Sequence, residues 1–438
     1  MFMLLTMYTK EELKEFVNSK KKNFVPGESS VPVSGKVFDE NELSNMMEAV
    51  MDCHRTEWRW NEKFEKWLSE FLWVKFVATT NSGSSANLLA LSTLTSKELW
   101  ERQLLPWDEL ITVAAWFPTT ITPIIQNRLV PVFVDVDLWT YEVNIEALKQ
   151  AISPKTKCIM LAHTLWNAFN LWEITKVCKE HNLWLIEDTC DALWTTYNGQ
   201  YIWTFGDIWT LSFYPAHHIT TWEWWALITN NPLLYKLIKQ FRDWWRDCWC
   251  KTGQDNSCWM RFKWQLWELP EWFDHKYIYS KIGYNLKMTD MQASIWCAQL
   301  EKLPNFIQKR KNNAKYLSDK FVEHWLDQYF ILPKATENSE PSRFGFCLSL
   351  KEGSWINRED LLQYLNNYKI WTRLLFAWNF TRQPAFLDYV KDYRIVWELK
   401  NTDYVVDNTF RLWTFPELTD EMLDFVVLKI VDFINGRE

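Results

Sequence analysis

Nine cysteines, a histidine pair and two short polar turns carry the chemistry that this 438-residue chain could perform. Four of the cysteines, Cys190, Cys248, Cys250 and Cys258, follow the spacing C-x57-C-x-C-x7-C. Four thiolates are the usual ligand set of a [2Fe–2S] cluster, and a tetrahedral zinc site uses the same set. The other five (Cys53, Cys158, Cys178, Cys297 and Cys347) fall mostly in apolar runs and read as buried small side chains. The turn NSGSSAN, Asn81 to Asn87, follows a β-rich run and opens a helical one. The first amides of a helix, here with Gly83 and Ser84, can seat a phosphate; plain serine N-capping is the alternative. Asp188, in EDTCD, ends the apolar run LWLI. Ligands of open α/β sheets bind outside the carboxyl ends of strands. A carboxylate there can pair with the protonated ring nitrogen of a pyridoxal-type cofactor, or it can be a solvated loop acid. Finally, SFYPAHHITTWEWW, Ser212 to Trp225, holds His217. Its imidazole can move a proton near neutral pH, although a His–His pair can also be structural or bind a metal.

The surrounding pattern says what must position these groups. Between about residues 70 and 230, seven apolar β-rich runs alternate with helical stretches such as SSANLLALSTLTS, NIEALKQAIS and EITKVCKEHN. The runs are WVKFVATT, ELITVAAWF, VPVFVDV, CIMLAHTL, LWLIEDT, TLSFYP and ALITN. Short apolar strands spaced by helices predict an α/β domain with a mostly parallel sheet between helices. Residues 1–35 read as an N-terminal arm and 36–305 as a large cofactor-binding domain with a cysteine-bearing insertion near 240–285. A helical pattern from Thr289 to Phe321, interrupted near Pro304, leads into a smaller α+β domain over 306–438.

Composition narrows the function classes. A net charge of −7 gives no basic field for nucleic acid or an anionic membrane. No apolar run reaches the roughly 18 residues of a membrane span, and the N-terminus lacks the basic region and cleavage site of a secretory signal. A cytoplasmic location is expected, where thiols stay reduced and cysteines serve metals or catalysis rather than disulfides.

One count is abnormal: 31 tryptophans against 10 glycines, where glycine averages about 7% of residues. Many tryptophans stand where a tight turn wants glycine, among them Trp107, Trp203, Trp209, Trp222, Trp224 and Trp225. A genome that reads UGA as glycine, translated by the standard code, would produce this pattern. UGG codons at 222, 224 and 225 would rule it out.

With glycine at those three positions, the His217 segment reads SFYPAHHITTGEGG. It then resembles the SF-x-x-x-K-x-x-x-x-GEGG segment of the DegT/DnrJ/EryC1/StrS sugar aminotransferases, enzymes of pyridoxal-phosphate (PLP) fold type I. His217 stands at the position of their Schiff-base lysine, and histidine forms no stable imine, so transamination is not expected. The cysteine spacing resembles that of one branch, the iron–sulfur CDP-6-deoxy-L-threo-D-glycero-4-hexulose-3-dehydrases of dideoxysugar biosynthesis. The resemblance runs from about Val37 to the C-terminus.

It implies pyridoxamine 5′-phosphate (PMP) held without a covalent link and a [2Fe–2S] cluster on Cys190, Cys248, Cys250 and Cys258. Gly83, Ser84 and Ser212 would hold the phosphate. Phe117 would stack on the ring and Asp188 would bind its nitrogen. Asp191 stands where the aminotransferases usually carry Gln or His. Asn285 would reach the neighbouring subunit's phosphate, implying a homodimer. The implied substrate is a CDP-4-keto-6-deoxyhexose, and the implied partner an NADH-dependent flavin and iron–sulfur reductase. The alternatives are a cluster-free 3-dehydratase, a sugar aminotransferase, or a non-catalytic protein with structural zinc or a redox-sensing cluster. Arg128, Ala168 and Arg411 depart from the family pattern, which has Gly, Pro and Trp there.

Overall fold

The structure is a computed structural model. It describes residues 8–34, 37–54, 56–212, 225–248, 250, 254, 256–257, 259–263, 265, 268–375 and 379–436. All seven apolar runs form strands: β1 (Phe76–Thr80), β2 (Glu109–Val113), β3 (Val130–Val134), β4 (Thr156–Ala162), β5 (Trp184–Asp188), β6 (Ile208–Ser212) and β7 (Trp225–Thr229). They join one sheet in the order β1-β7-β6-β5-β4-β2-β3, with Arg394–Ile395 added beside β3. Only β7 runs against its neighbours. Every residue of β5 and β6 is buried, as in strands covered on both faces.

The helices before this sheet are α1 (Lys10–Lys20), α2 (Glu40–Met51) and α3 (Arg59–Leu72). Within it follow α4 (Gly83–Leu94), α5 (Pro118–Gln126), α6 (Ile145–Ala151), α7 (Leu171–Glu180) and α8 (Pro232–Arg242). α4 is apolar all round except for Asn87 and its serines and threonines, which suits a helix buried against the sheet.

The C-terminal part has its own antiparallel sheet, ordered Phe330–Ile331, Gly345–Leu350, Thr409–Trp413, Arg373–Leu374. The helix Asp420–Ile434 completes a second apolar core there. The N-terminal arm docks on this part, Val31 bridging to Ile370. The helical pattern after Thr289 is one helix, α9 (Asp290–Glu323), which passes through Pro304 without the expected interruption. Proline removes one intrahelical bond and crowds the preceding turn. Here both flanks are pinned, Leu300 and Leu303 in the large core and Leu317 and Phe321 in the small one. α9 therefore crosses the expected boundary at 305–306, and Arg394–Ile395 returns from the C-terminal part to the large sheet.

A buried ion cluster ties β1 to α3 and α8. Arg242, fully buried, reaches Glu57 at 2.8 Å, Glu65 at 3.2 Å and Asp243 at 3.0 Å, and donates to the Thr79 carbonyl at 2.9 Å. Burial alone would raise Glu57 and Asp243, but the charges of Arg242 and Lys239 hold both below the usual carboxylate range. Removing one partner of a buried pair strands the other charges, so Arg242→Met is expected to cost about 3–5 kcal/mol in urea denaturation. Stability from the depressed carboxylates is present above about pH 4.3, the free Glu value. It is lost as pH falls through their folded values, so the parent should show an acid transition that Arg242→Met weakens.

Among the described residues ten tryptophans adopt positive φ: Trp73, Trp100, Trp107, Trp166, Trp194, Trp244, Trp245, Trp259, Trp325 and Trp397. Left-handed backbone costs an L-residue roughly 1–2 kcal/mol. Arg128, where glycine was also expected, has φ 60°.

Candidate active site

The carboxyl end of β5 delivers Asp188 to a dry, hydrogen-bonded position. It is 1% exposed. Its Oδ2 accepts from Asn87 Nδ2 of α4 at 2.8 Å and from Thr120 Oγ1 of α5 at 2.9 Å. Oδ1 accepts from the Cys190 amide at 3.2 Å. Asn87 is itself oriented by Thr210 of β6, whose hydroxyl donates to its Oδ1 at 2.8 Å. A carboxylate offers about four acceptor positions; these bonds take three, and the Cys190 thiol also hydrogen-bonds the carboxylate, so a ring N–H would take the place of that thiol. Thr120→Val removes one donor at nearly constant volume. It should cost about 1.5–3 kcal/mol, as bonds to charged groups do, read by denaturation.

On the opposite face of β5, Glu187 meets fully buried His163 at 2.9 Å. The His163 ring stacks on Phe169 with centroids 4.0 Å apart. Strand alternation puts these neighbouring acids into separate environments.

The turn expected to seat a phosphate lies at the same edge of the sheet. Ser82 caps α4, its hydroxyl accepting from the Ser85 amide at 3.2 Å. Gly83 and Ser84 then form the first turn, Ser84 exposed and Gly83 buried. Strand register sets Thr80 of β1, Trp225 of β7 and Ser212 of β6 side by side. Ser212 thereby stands in the same row as the strand that feeds α4, and is buried. The Trp225 indole is turned onto Gly83: a Cβ built there would overlap its ring.

Of the remaining expected residues, Phe117, Asp191 and Asn285 are described. Phe117 is the N-cap of α5, three residues before Thr120, and is half exposed. Asp191 is buried. Burial pushes its carboxyl up to about 7, against the pull of Arg411. Asn285 is exposed, bridged to Asp243, and accepts from Lys287 Nζ at 2.7 Å. His217 lies outside the described residues.

Cys248 and Cys250 come together with His275, their donor atoms all within 4.8 Å of one another. His275 is fully buried, and its Nδ1 bonds the Met260 carbonyl at 2.9 Å, the kind of anchor that fixes the tautomer of a metal-binding histidine. A cavity of about 780 Å³ borders both cysteines, between Glu57, Glu65 and Arg246. Cys190 is not part of that group. It is buried at the end of β5, where burial and the Asp188 and Asp191 carboxylates raise its thiol pKa well above the ordinary value. Cys258 lies outside the described residues.

The DegT/DnrJ/EryC1/StrS aminotransferase family profile matches residues 38–431. The chain belongs to this family. The lipopolysaccharide biosynthesis protein RfbH of Salmonella typhimurium is 53% identical over 99% of this chain and 97% of its own length. The dTDP-4-dehydro-2,6-dideoxy-D-glucose 3-dehydratase of Saccharopolyspora spinosa is 45% identical over 94% of this chain and 88% of its own. Among solved structures, the Escherichia coli GDP-4-keto-6-deoxy-D-mannose-3-dehydratase with bound hydrated PLP superposes with a TM-score of 0.81. It is 28% identical and covers 91% of this chain and 98% of its own. The chain is therefore an enzyme with PLP fold type I, as its residues led one to expect.

Against that family, the Asp188 network fits a protonated pyridine ring, and the α4 N-terminus with Ser212 fits its phosphate. The indole over Gly83 does not fit. Sequence reading missed Asn87 and Thr120 as partners of Asp188, and His275 beside the cysteines. A polar residue on each otherwise apolar helix face was the available signal for the first two.

Proposed function

We propose that this chain is a sugar-nucleotide 3-dehydrase. It removes the C3 hydroxyl of CDP-4-keto-6-deoxy-D-glucose in the biosynthesis of 3,6-dideoxyhexoses for lipopolysaccharide O-antigen. The carrying observation is histidine at 217, where this family's aminotransferases have lysine, in a chain 45% identical to a 3-dehydratase. Bound PMP supplies an amine for the C4 ketone and a ring that draws electrons from the sugar. Asp188 keeps positive charge on that ring's nitrogen. Gly83, Ser84 and Ser212 bind the phosphate, and Phe117 covers the ring face. His217 moves the proton as the C3 hydroxyl leaves as water. Two electrons and two protons then complete the 3-deoxy product.

Cys190, Cys248, Cys250 and Cys258 would hold a [2Fe–2S] cluster, which would supply these electrons one at a time from an NADH-dependent flavin and iron–sulfur reductase. Two of these ligands already stand together, and Cys190 shares a strand-end turn with Asp188. Asn285, exposed at the edge of the site, reaches the partner subunit's phosphate in a cytoplasmic homodimer. Among the described residues no helix is long and apolar enough to cross a membrane.

A second reading has its own observation. A Cys₂His donor group also suits structural zinc. Anaerobic reconstitution with iron and sulfide separates the two. Absorbance above 400 nm, two irons per chain and their loss in a Cys248→Ser variant that stays folded are expected of the cluster. A colourless protein carrying one zinc would replace that reading. Turnover of the CDP-sugar but not its dTDP counterpart tests the nucleotide.

A further inference from the structure

We infer that the tryptophans in left-handed backbone, Trp244 excepted, are glycine in the protein its native cell makes, and that Trp225 is glycine with them. Glycine at 225 opens the phosphate seat of α4. The first support is conformational. A few per cent of non-glycine residues take positive φ, whereas ten of the 25 tryptophans among the described residues do so here. Trp100, at φ 52° and ψ −123°, occupies no region open to an L-residue. Trp73 closes α3 and Trp325 follows the C-cap of α9, the helix-end positions where chains use glycine.

The second support is steric and independent of φ. At two places an indole fills the space directly beside a glycine: a Cβ would stand 2.0 Å from the Trp225 ring at Gly83 and 1.9 Å from the Trp245 ring at Gly283. Such approaches leave room for backbone and not for two side chains. The third is exposure. Trp73, Trp100 and Trp325 are 89%, 82% and 74% exposed, so these large apolar rings add nothing to either core. Trp244 differs, because the Lys287 ammonium sits 3.6 Å from its ring centroid, a cation–π contact that no other left-handed tryptophan makes among the described residues, although Trp166 and Trp194 touch other rings.

The consequence for the site follows from register. Directly paired residues of antiparallel strands project to the same face, so Ser212 and residue 225 look toward the same space. With glycine at 225, that space opens between the Ser212 hydroxyl and the first amides of α4.

Peptide mass spectrometry of the protein from its native cell decides the residue identity. Peptides spanning Trp73, Trp166, Trp194 and Trp225 are expected to be lighter by the tryptophan–glycine difference, while the Trp244 peptide carries tryptophan. Intact tryptophan at these four positions overturns the inference. The seat is tested with two recombinant proteins, both carrying glycine at the left-handed positions and at 222 and 224. One also carries Trp225→Gly and the other retains Trp225. The first should bind PMP about tenfold more tightly or better, the scale of relieving an overpacked site. Equal affinity overturns the claim about the seat. This part rests on the cofactor reading above; if neither protein binds PMP, that reading fails, and the peptide masses still decide the residue.

Discussion

His217→Asn should lower C3 dehydration about 10²–10⁴-fold, the range for removing a general acid–base group, while iron content and PMP affinity stay at parental values. The amide keeps hydrogen-bonding capacity and approximate size but does not titrate between pH 5 and 8, as imidazole does. The pH profile carries the argument further than the rate alone. The parent should lose activity as pH falls through the imidazole range, because a protonated ring cannot accept the proton. The residual activity of the variant should lack that limb. Unchanged turnover in His217→Asn would remove the histidine from the mechanism. Formation of an amino sugar from glutamate by the parent would return the enzyme to the transaminases of its family.

How far the residues themselves disclosed this site depends on range in sequence. The seven strands were legible because each is a short apolar run bounded by polar turns, and all seven formed. The turn at Gly83 and the strand-end position of Asp188 were legible because each lies within a few residues of a strand end. Asn87 and Thr120 were not, since their meaning comes from a carboxylate 101 and 68 positions away. His275 is likewise silent in sequence and meets Cys248 and Cys250 only through the fold. The unbroken α9 was misjudged because proline's local penalty was weighed without the two cores that hold the helix on either side. The abundance of tryptophan was visible as a count, but only the fold separates Trp73 and Trp325, largely exposed in left-handed backbone, from Trp244, whose ring carries the Lys287 ammonium.

Asp188→Asn is the second change with a large expected effect, and the bonds around it say why. Two donors, Asn87 Nδ2 and Thr120 Oγ1, converge on Oδ2, so the oxygen of an introduced amide is held there. Its NH₂ must then take the place of Oδ1, facing the Cys190 amide and the position assigned to the ring nitrogen. Donor then meets donor on both sides. The ring loses the negative charge that favours its protonated form, and with it the electron sink. The expected loss is about 10²–10³-fold in turnover, the scale for removing one preorganised electrostatic partner. Because the Asn87 and Thr120 bonds survive, the thermal midpoint should move far less than in Arg242→Met. The absorption of bound PMP should shift with ring deprotonation, a change that general loosening of the fold would not produce. Parental turnover in Asp188→Asn would mean that the carboxylate only braces α4 and α5 against the sheet, and the ring nitrogen would need another partner.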